Sequence, residues 1–213
     1  MIDYKILASG SKGNATILDS SILIDCGVPY RKLEPHAKDL KLVLLTHSHS
    51  DHFNMATIHR LAKERPTLRF GCCEWLVGAL LLAGVSKWNI DVFQLDTVYN
   101  YGSVRITPVY LPHNVPNCGY KLHFKAEDSK VIYCTDCGNL NGITAPDYDL
   151  YLIEANHDAD EIARRIKEKE LNGEYAYEIQ AQKNHLSRQK CDEFIYANAG
   201  QNSVFIYMHC HDD

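Results

Sequence analysis

Thr46-His47-Ser48-His49-Ser50-Asp51-His52 sets three imidazoles and one carboxylate close together, directly after the apolar run Val43-Leu44-Leu45. Imidazole nitrogen and carboxylate oxygen are the donors that divalent cations such as Zn²⁺ take from proteins, and four of them so near one another rarely serve packing. The apolar run predicts a short buried strand, so the histidines fall on the loop that leaves its end. Alternation along the chain lets positions 47 and 49 face one ion together. Asp51 and His52 turn toward a second ion if a helix begins shortly after them, as residues 55–65 suggest. The spacing therefore predicts two metal ions.

The elements that must position this loop can be read on either side of it. Residues 4–8 and 15–19, flanking the glycine-rich stretch from Ser9 to Asn14, read as two strands, with a third at 22–25, which makes an antiparallel opening. The helix over 55–65 ends at Pro66, and a second strand and helix follow at 68–71 and 74–83. The apolar stretch 75–85 reads as a buried helix. Strands are predicted at 92–95, 104–111, 119–125, 130–133 and 148–154, where β-branched and aromatic residues run between Gly, Asn, Asp and Pro. A helix over 158–171 carries Ile162, Ala163 and Ile166 as its apolar stripe. Ser187 caps a further helix reaching about residue 199, with Phe194 and Ile195 inward, and 203–208 makes a last strand. Strands in two groups with helices outside predict an α/β fold, an αββα sandwich of two mixed β-sheets flanked by helices, as a single domain over 1–213.

Composition narrows the function classes. With 46% apolar and 23% charged residues the chain is an ordinary globular sequence. No apolar run approaches the roughly 18 residues needed to span a bilayer, and no basic and apolar leader opens the chain, so the expectation is a cytoplasmic protein with no membrane partner. Lys and Arg number 22 against 27 Asp and Glu, a formal charge of -5, which argues against general electrostatic affinity for nucleic acid while leaving a local site open. Two divalent ions would themselves make such a site positive. Eight cysteines in this setting read as free thiols, and Cys134-Thr135-Asp136-Cys137 has CxxC spacing without a second pair to complete a zinc site.

With Asp25, the His47–His52 motif, His113, Asp136 and His209 each at or just beyond a predicted strand, the chain resembles the metallo-β-lactamase superfamily over nearly its full length. Leu7-Ala8-Ser9-Gly10-Ser11-Lys12-Gly13-Asn14, the stretch from Pro112 to Tyr120, Glu154-Ala155-Asn156-His157-Asp158 and His185-Leu186-Ser187 are similar to the WalJ/YycJ-type branch, bacterial and phage proteins regarded as nucleases. The resemblance implies that His47, His49 and His113 hold one ion, that Asp51, His52 and His209 hold the other, and that Asp136 bridges them. The donor types suit Zn²⁺, with Mn²⁺ or Fe as alternatives. Asp25 fits an acceptor that steadies the histidine loop. His209 directly follows an apolar strand and is preferred to His211, two residues on. His36, His59 and His123 lack such a setting and read as surface or packing residues. Met208-His209-Cys210-His211 departs from the His-Leu-Ser continuation usual in the branch, and the chain is shorter than typical members.

The reaction this implies is metal-dependent hydrolysis of a phosphodiester by a hydroxide held between the ions, with Asp51 and Asp136 orienting it. Glu154 and His185 resemble the glutamate and histidine that assist cleavage in transfer-RNA 3′-processing relatives, Glu154 keeping His185 protonated and aimed. His157 reads as local scaffolding. Asn14, Asn114 and Asn117 sit on loops bordering the cleft where a substrate contact competes with turn geometry, and Lys183, Arg188 and Lys190 flank His185 where phosphates would pass. The partner implied is a nucleic acid or nucleotide. No inserted gripping domain is visible, which favours a short substrate, cleavage at an end, or a homo-oligomer that builds the groove. Two other readings use the same residues: hydrolysis of a small cyclic phosphodiester, thioester or lactone, and a non-catalytic nucleotide-binding variant.

Overall fold

The computed structural model describes residues 2–210, so His211 lies outside the described residues. The chain divides into two compact units between Pro108 and Val109. In the first, β1 (Tyr4–Ala8), β2 (Ala15–Leu18) and β3 (Ile22–Ile24) form the expected antiparallel opening. β4 (Leu42–Leu45), β5 (Arg69–Cys73) and β6 (Ile90–Phe93) then add in parallel, giving the sheet order β1-β2-β3-β4-β5-β6. All four residues of β4 are buried, the continuous apolar pattern of a parallel strand covered on both faces.

Three helices belong to this sheet. α1 (Tyr30–Ala37) is absent from the sequence reading because Pro35 lies inside it, yet its buried Tyr30, Leu33 and Ala37 share one face. α2 (Met55–Glu64) starts where the motif required, its Asn54 side chain accepting the Thr57 N–H at 3.0 Å. The helix expected over 74–83 is split into a 3₁₀ turn at Glu74–Leu76 and α3 (Val77–Leu82). It is not buried all round, since Leu81 and Leu82 are exposed; Leu80 of α3 is buried in the core, with Val77 and Ala79 packed against it part-buried. That core joins Leu33, Val43, Leu45, Ile58, Leu61 and Phe70.

The second sheet runs β12-β11-β10-β9-β8-β7, from β7 (Tyr99–Tyr101), β8 (Val104–Leu111), β9 (Asn117–Phe124), β10 (Ser129–Cys134), β11 (Leu150–Glu154) and β12 (Val204–Met208). β9 is antiparallel to β10, whereas β10, β11 and β12 are parallel and end on one edge. Its helices are α4 (Ala159–Leu171), α5 (Glu178–Asn184) and α6 (Arg188–Asn198). Asp158 caps α4, and Ser187 caps α6 as expected. The α4 stripe is narrower than the sequence suggests: Ile162 is buried, Ile166 half-buried and Ala163 exposed. Phe194 and Ile195 do point into the core, beside Ile132, Tyr151 and Ile153. Two mixed sheets flanked by helices are thus the α/β class expected. Among the described residues no helix is long and apolar enough to cross a membrane.

All eight cysteines are free thiols, seven buried and Cys210 half-buried. Burial pushes the thiols of Cys72, Cys134 and Cys191 up to about 12. A thiol-specific reagent applied to the native protein near neutral pH is therefore expected to modify Cys210 alone at a rapid rate, and all eight after denaturation, as read by intact mass.

Candidate metal centre

In the first unit the motif loop is built on one buried carboxylate. Asp25, directly after β3, is fully buried; its Oδ1 accepts the Thr46 N–H at 3.0 Å and the Thr46 hydroxyl at 2.9 Å, and its Oδ2 accepts His52 Nδ1–H at 2.7 Å. This is the steadying role read from its position. With Nδ1 protonated, His52 turns Nε2 outward as a lone-pair donor, 2.8 Å from Asn14 Nδ2. His47 lies beside it with ring centroids 4.2 Å apart, and Asp51 Oδ2 lies 3.6 Å from His52 Nε2.

The loop backbone is held from beneath. Asn14 N–H donates to Asp51 O at 2.6 Å, Cys26 N–H to His52 O at 2.9 Å, and Asn54 N–H to Cys26 O at 2.8 Å. Gly27 donates to Asn14 O and passes so near that a Cβ there would stand 1.6 Å from Asp51 O. Neither Gly27 nor Thr46 was singled out from the sequence. Thr46 precedes the motif and could have been suspected as a partner for Asp25, but no sequence signal marks a backbone approach such as that at Gly27.

In the second unit the remaining candidates follow or end β8, β10, β11 and β12, with His185 directly after α5. Asp136, Glu154, His185 and His209 each offer a ligand atom, all within 4.8 Å of one another. Glu154, at the end of β11, is fully buried; Oε2 accepts the Cys137 and Leu186 N–H groups at 2.8 and 3.1 Å, and Oε1 accepts His185 Nδ1–H at 2.6 Å. Burial pushes the Glu154 carboxyl up from its ordinary value, and the His185 hydrogen bond works against that. His185 Nδ1 also lies 3.3 Å from Asp136 Oδ1, and its ring stacks on His209 at 5.3 Å between centroids. His113 donates Nδ1–H to Asn184 O at 3.0 Å, directing Nε2 away from that carbonyl. Asp25 (φ 59°), Asp136 (φ 56°) and His209 (φ 50°) all take left-handed backbone, a strain of about 1–2 kcal/mol for a non-glycine residue.

The other expected contacts are placed differently. Asn14 and Asn117 are fully buried rather than open to substrate. Asn14 also bonds Gly10 through both amide atoms, and Asn117 Nδ2 donates to the carbonyls of Thr135 and Asp136 at 3.1 and 2.7 Å, so each amide is a loop fastener. Asn114, Lys183, Arg188 and Lys190 are exposed; Lys190 Nζ reaches Gly138 O at 3.3 Å and the Arg188 guanidinium lies over the Tyr207 ring. His157 is scaffolding, its carbonyl accepting the Arg188 N–H. His36, His59 and His123 bond Lys5, Ala83 O and Asp128, outside these clusters. Asn156, which the sequence showed only inside the Glu154 run, donates Nδ2–H to His209 O at 3.0 Å and fixes that histidine.

The donor set fits a divalent cation. His47 Nε2 and His49 Nδ1 stand 3.1 Å apart, and two nitrogens on one tetrahedral zinc at ordinary Zn–N lengths are separated by roughly 3.3 Å.

Residues 20–179 match the family model described as a beta-lactamase superfamily domain. The chain belongs to that superfamily. The exodeoxyribonuclease WalJ of Streptococcus pneumoniae is 27% identical over 96% of this chain and 80% of its own length. Among solved structures, the metallo-β-lactamase fold protein YhfI of Bacillus subtilis aligns with a TM-score of 0.76 at 18% identity, covering 100% of this chain and 88% of that one. The short form of human tRNase Z aligns at 0.73 and 15% identity over 100% and 93%. These two likenesses establish the superfamily fold.

Gly27→Ala is expected to destabilise the protein by about 2–3 kcal/mol, because the Asp51–His52 backbone leaves no room for a methyl group. Gly78→Ala, in α3 with open space around the added Cβ, is expected to stabilise by about 0.5–1 kcal/mol. Urea midpoints of opposite sign for the same chemical change check the pair.

Proposed function

We propose that this superfamily member is a metal-dependent phosphodiesterase acting on nucleic acid, as an exonuclease at a strand end. The observation that carries the reading is the Glu154–His185 pair at 2.6 Å beside Asp136 and His209, an oriented acid next to candidate metal ligands. The relative named as an exodeoxyribonuclease supports the choice of substrate.

In this reading His47, His49 and His113 would hold one divalent ion, Asp51, His52 and His209 a second, and Asp136 would be a shared ligand, with zinc preferred for imidazole and carboxylate donors. When bound, such a pair supplies Lewis acidity and makes water a nucleophile near neutral pH. On this reading residues 1–213 would act as one catalytic domain, in the cytoplasm.

The chain's own groups have separable tasks. Asp25 fixes the His52 tautomer, and Asn117 and Asn156 hold the carbonyls of Asp136 and His209, so the donors are set before substrate arrives. Asp51, partly open at 22% side-chain exposure, would orient the attacking water. Glu154 keeps the His185 proton on Nδ1 and favours the imidazolium, whose Nε2–H donates to a phosphate oxygen or the departing oxygen. Lys183 and Arg188 lie on the solvent side, where the flanking phosphates would run.

Metal-stripped protein reloaded with Zn²⁺ or Mn²⁺ should degrade end-labelled DNA or RNA and a generic phosphodiester, leaving a thioester and a β-lactam intact. Asp136→Ala should abolish turnover together with metal retention. His185→Ala should retain metal and lose about 10²–10⁴ in kcat. Full turnover by His185→Ala would remove the acid assignment, and thioester turnover without phosphodiester turnover would replace the whole reading.

A further inference from the structure

Each sheet ends in two strands that pair on one side only, and among these edges of the described residues β12 is built differently. An edge strand offers a row of N–H and C=O groups to any strand that comes alongside, and proteins guard such rows with charges, bulges or shortness. β1 carries Lys5 and a register shift between Ile6 and Ala8, β6 carries Asp91, and β7 is three residues long. β12 has none of these guards: Val204-Phe205-Ile206-Tyr207-Met208 is uncharged, contains no proline, and runs in unbroken register beside β11.

The backbone bonds of β12 identify the groups on offer. Val204 N–H donates to Asp149 O, and the Met208 carbonyl accepts Ala155 N–H, each at 2.9 Å. Alternate residues of a strand turn their backbone groups the same way, so Ile206 also faces β11, and the N–H and C=O groups of Phe205 and Tyr207 point to the open edge. The same two residues carry aromatic rings on one face, 5.7 Å apart between centroids. Phe205 is 49% exposed, the Tyr207 hydroxyl is fixed by donating to Asp192 Oδ1 of α6 at 2.5 Å, and Tyr196, one turn after Asp192, is 93% exposed.

Such a row is its own complement. A two-fold axis at Ile206 sets Phe205 opposite the partner's Tyr207, where the two residues exchange both N–H···O bonds, and repeats the exchange between Tyr207 and the partner's Phe205. The same operation brings a phenylalanine ring beside a tyrosine ring twice on one face of the joined sheet. A foreign strand would meet the backbone groups but would need a matching ring pattern, which a second copy supplies by symmetry.

We propose that β12 is the surface through which two copies of this chain associate, edge to edge and antiparallel about Ile206, joining their second-unit sheets into one. The inference does not depend on the phosphodiesterase reading. A single strand edge with two aromatic pairs is small for an obligate dimer, so the dissociation constant is expected on the order of 10 µM.

Sedimentation velocity of the full chain over a concentration series that brackets this value should show a monomer–dimer equilibrium, weakened at least about tenfold by Phe205→Lys, which places a charge on the edge. The register is tested by cysteine cross-linking in a Cys210→Ser background, which removes the one thiol that is not buried. Ile206→Cys puts two thiols across the axis, where the Cα atoms of a non-hydrogen-bonded pair stand about 4.5 Å apart, within disulfide reach. Phe205→Cys puts them on a diagonal of about 7–8 Å, beyond it. Mild oxidation with oxidised glutathione should therefore give covalent dimer on a non-reducing gel from Ile206→Cys and not from Phe205→Cys. Thermal midpoints verify folding, and if Phe205→Lys does not fold, the cross-linking pair decides. A monomer throughout the series, or wild-type association by folded Phe205→Lys, overturns the interface; cross-linking by Phe205→Cys as fast as by Ile206→Cys overturns the register.

Discussion

A carboxylate removed from water is stable only where hydrogen-bond donors surround it, and in each unit the candidate ligands are organised around one such group. Asp25 gathers the Thr46 N–H, the Thr46 hydroxyl and His52 Nδ1–H. Glu154 gathers the Cys137 and Leu186 N–H groups and His185 Nδ1–H. Both are fully buried at or directly after the end of a strand, and each ties a loop backbone and an imidazole to the same point. Removing either would leave three donors without their acceptor, so the loops and the rings stand or fall together.

From this constraint follows the selection of ring nitrogens. An imidazole donates a lone pair to a metal only from the nitrogen that carries no proton, and the partner of the other nitrogen decides which that is. Asp25 places the proton of His52 on Nδ1, the Asn184 carbonyl does the same for His113, and Glu154 does so for His185. The left-handed backbone at Asp25, Asp136 and His209 belongs to the same arrangement. A strand that ends in this bend turns its next side chain out of the pleat, and the strain is offset by fixed contacts such as Asn117 Nδ2 on the Asp136 carbonyl and Asn156 Nδ2 on that of His209.

The helices of the second unit add surface that the sheets lack. α4 and α5 stand outside the strand ends, with Tyr175, Tyr177 and Leu171 exposed around their connection and charges paired along α4 through Arg164–Glu168 and Arg165–Glu161. Such pairs contribute only a few tenths of a kcal/mol each; the buried apolar residues here are Ile162 and Ala176, and Asp158 caps α4.

Much of this was determined by the sequence alone. Apolar runs such as Val43-Leu44-Leu45 and Leu150–Glu154 read as buried strands, the alternation of strands and helices leads to two mixed sheets, and four donors between positions 47 and 52 are a grouping that rarely serves packing. α1 escaped because Pro35 contradicts its local pattern, while packing of Tyr30, Leu33 and Ala37 overrides that preference. Tertiary structure decided what the buried amides do: Asn14 and Asn117 look like loop residues by type, and only the positions of Asp51, His52, Thr135 and Asp136 reveal them as fasteners. It also decided the place of Gly27 against the Asp51 carbonyl. Spacing along a chain reports which groups share a face of one element, whereas a hydrogen bond or a close approach between residues dozens of positions apart depends on register and strand order, which no local pattern encodes.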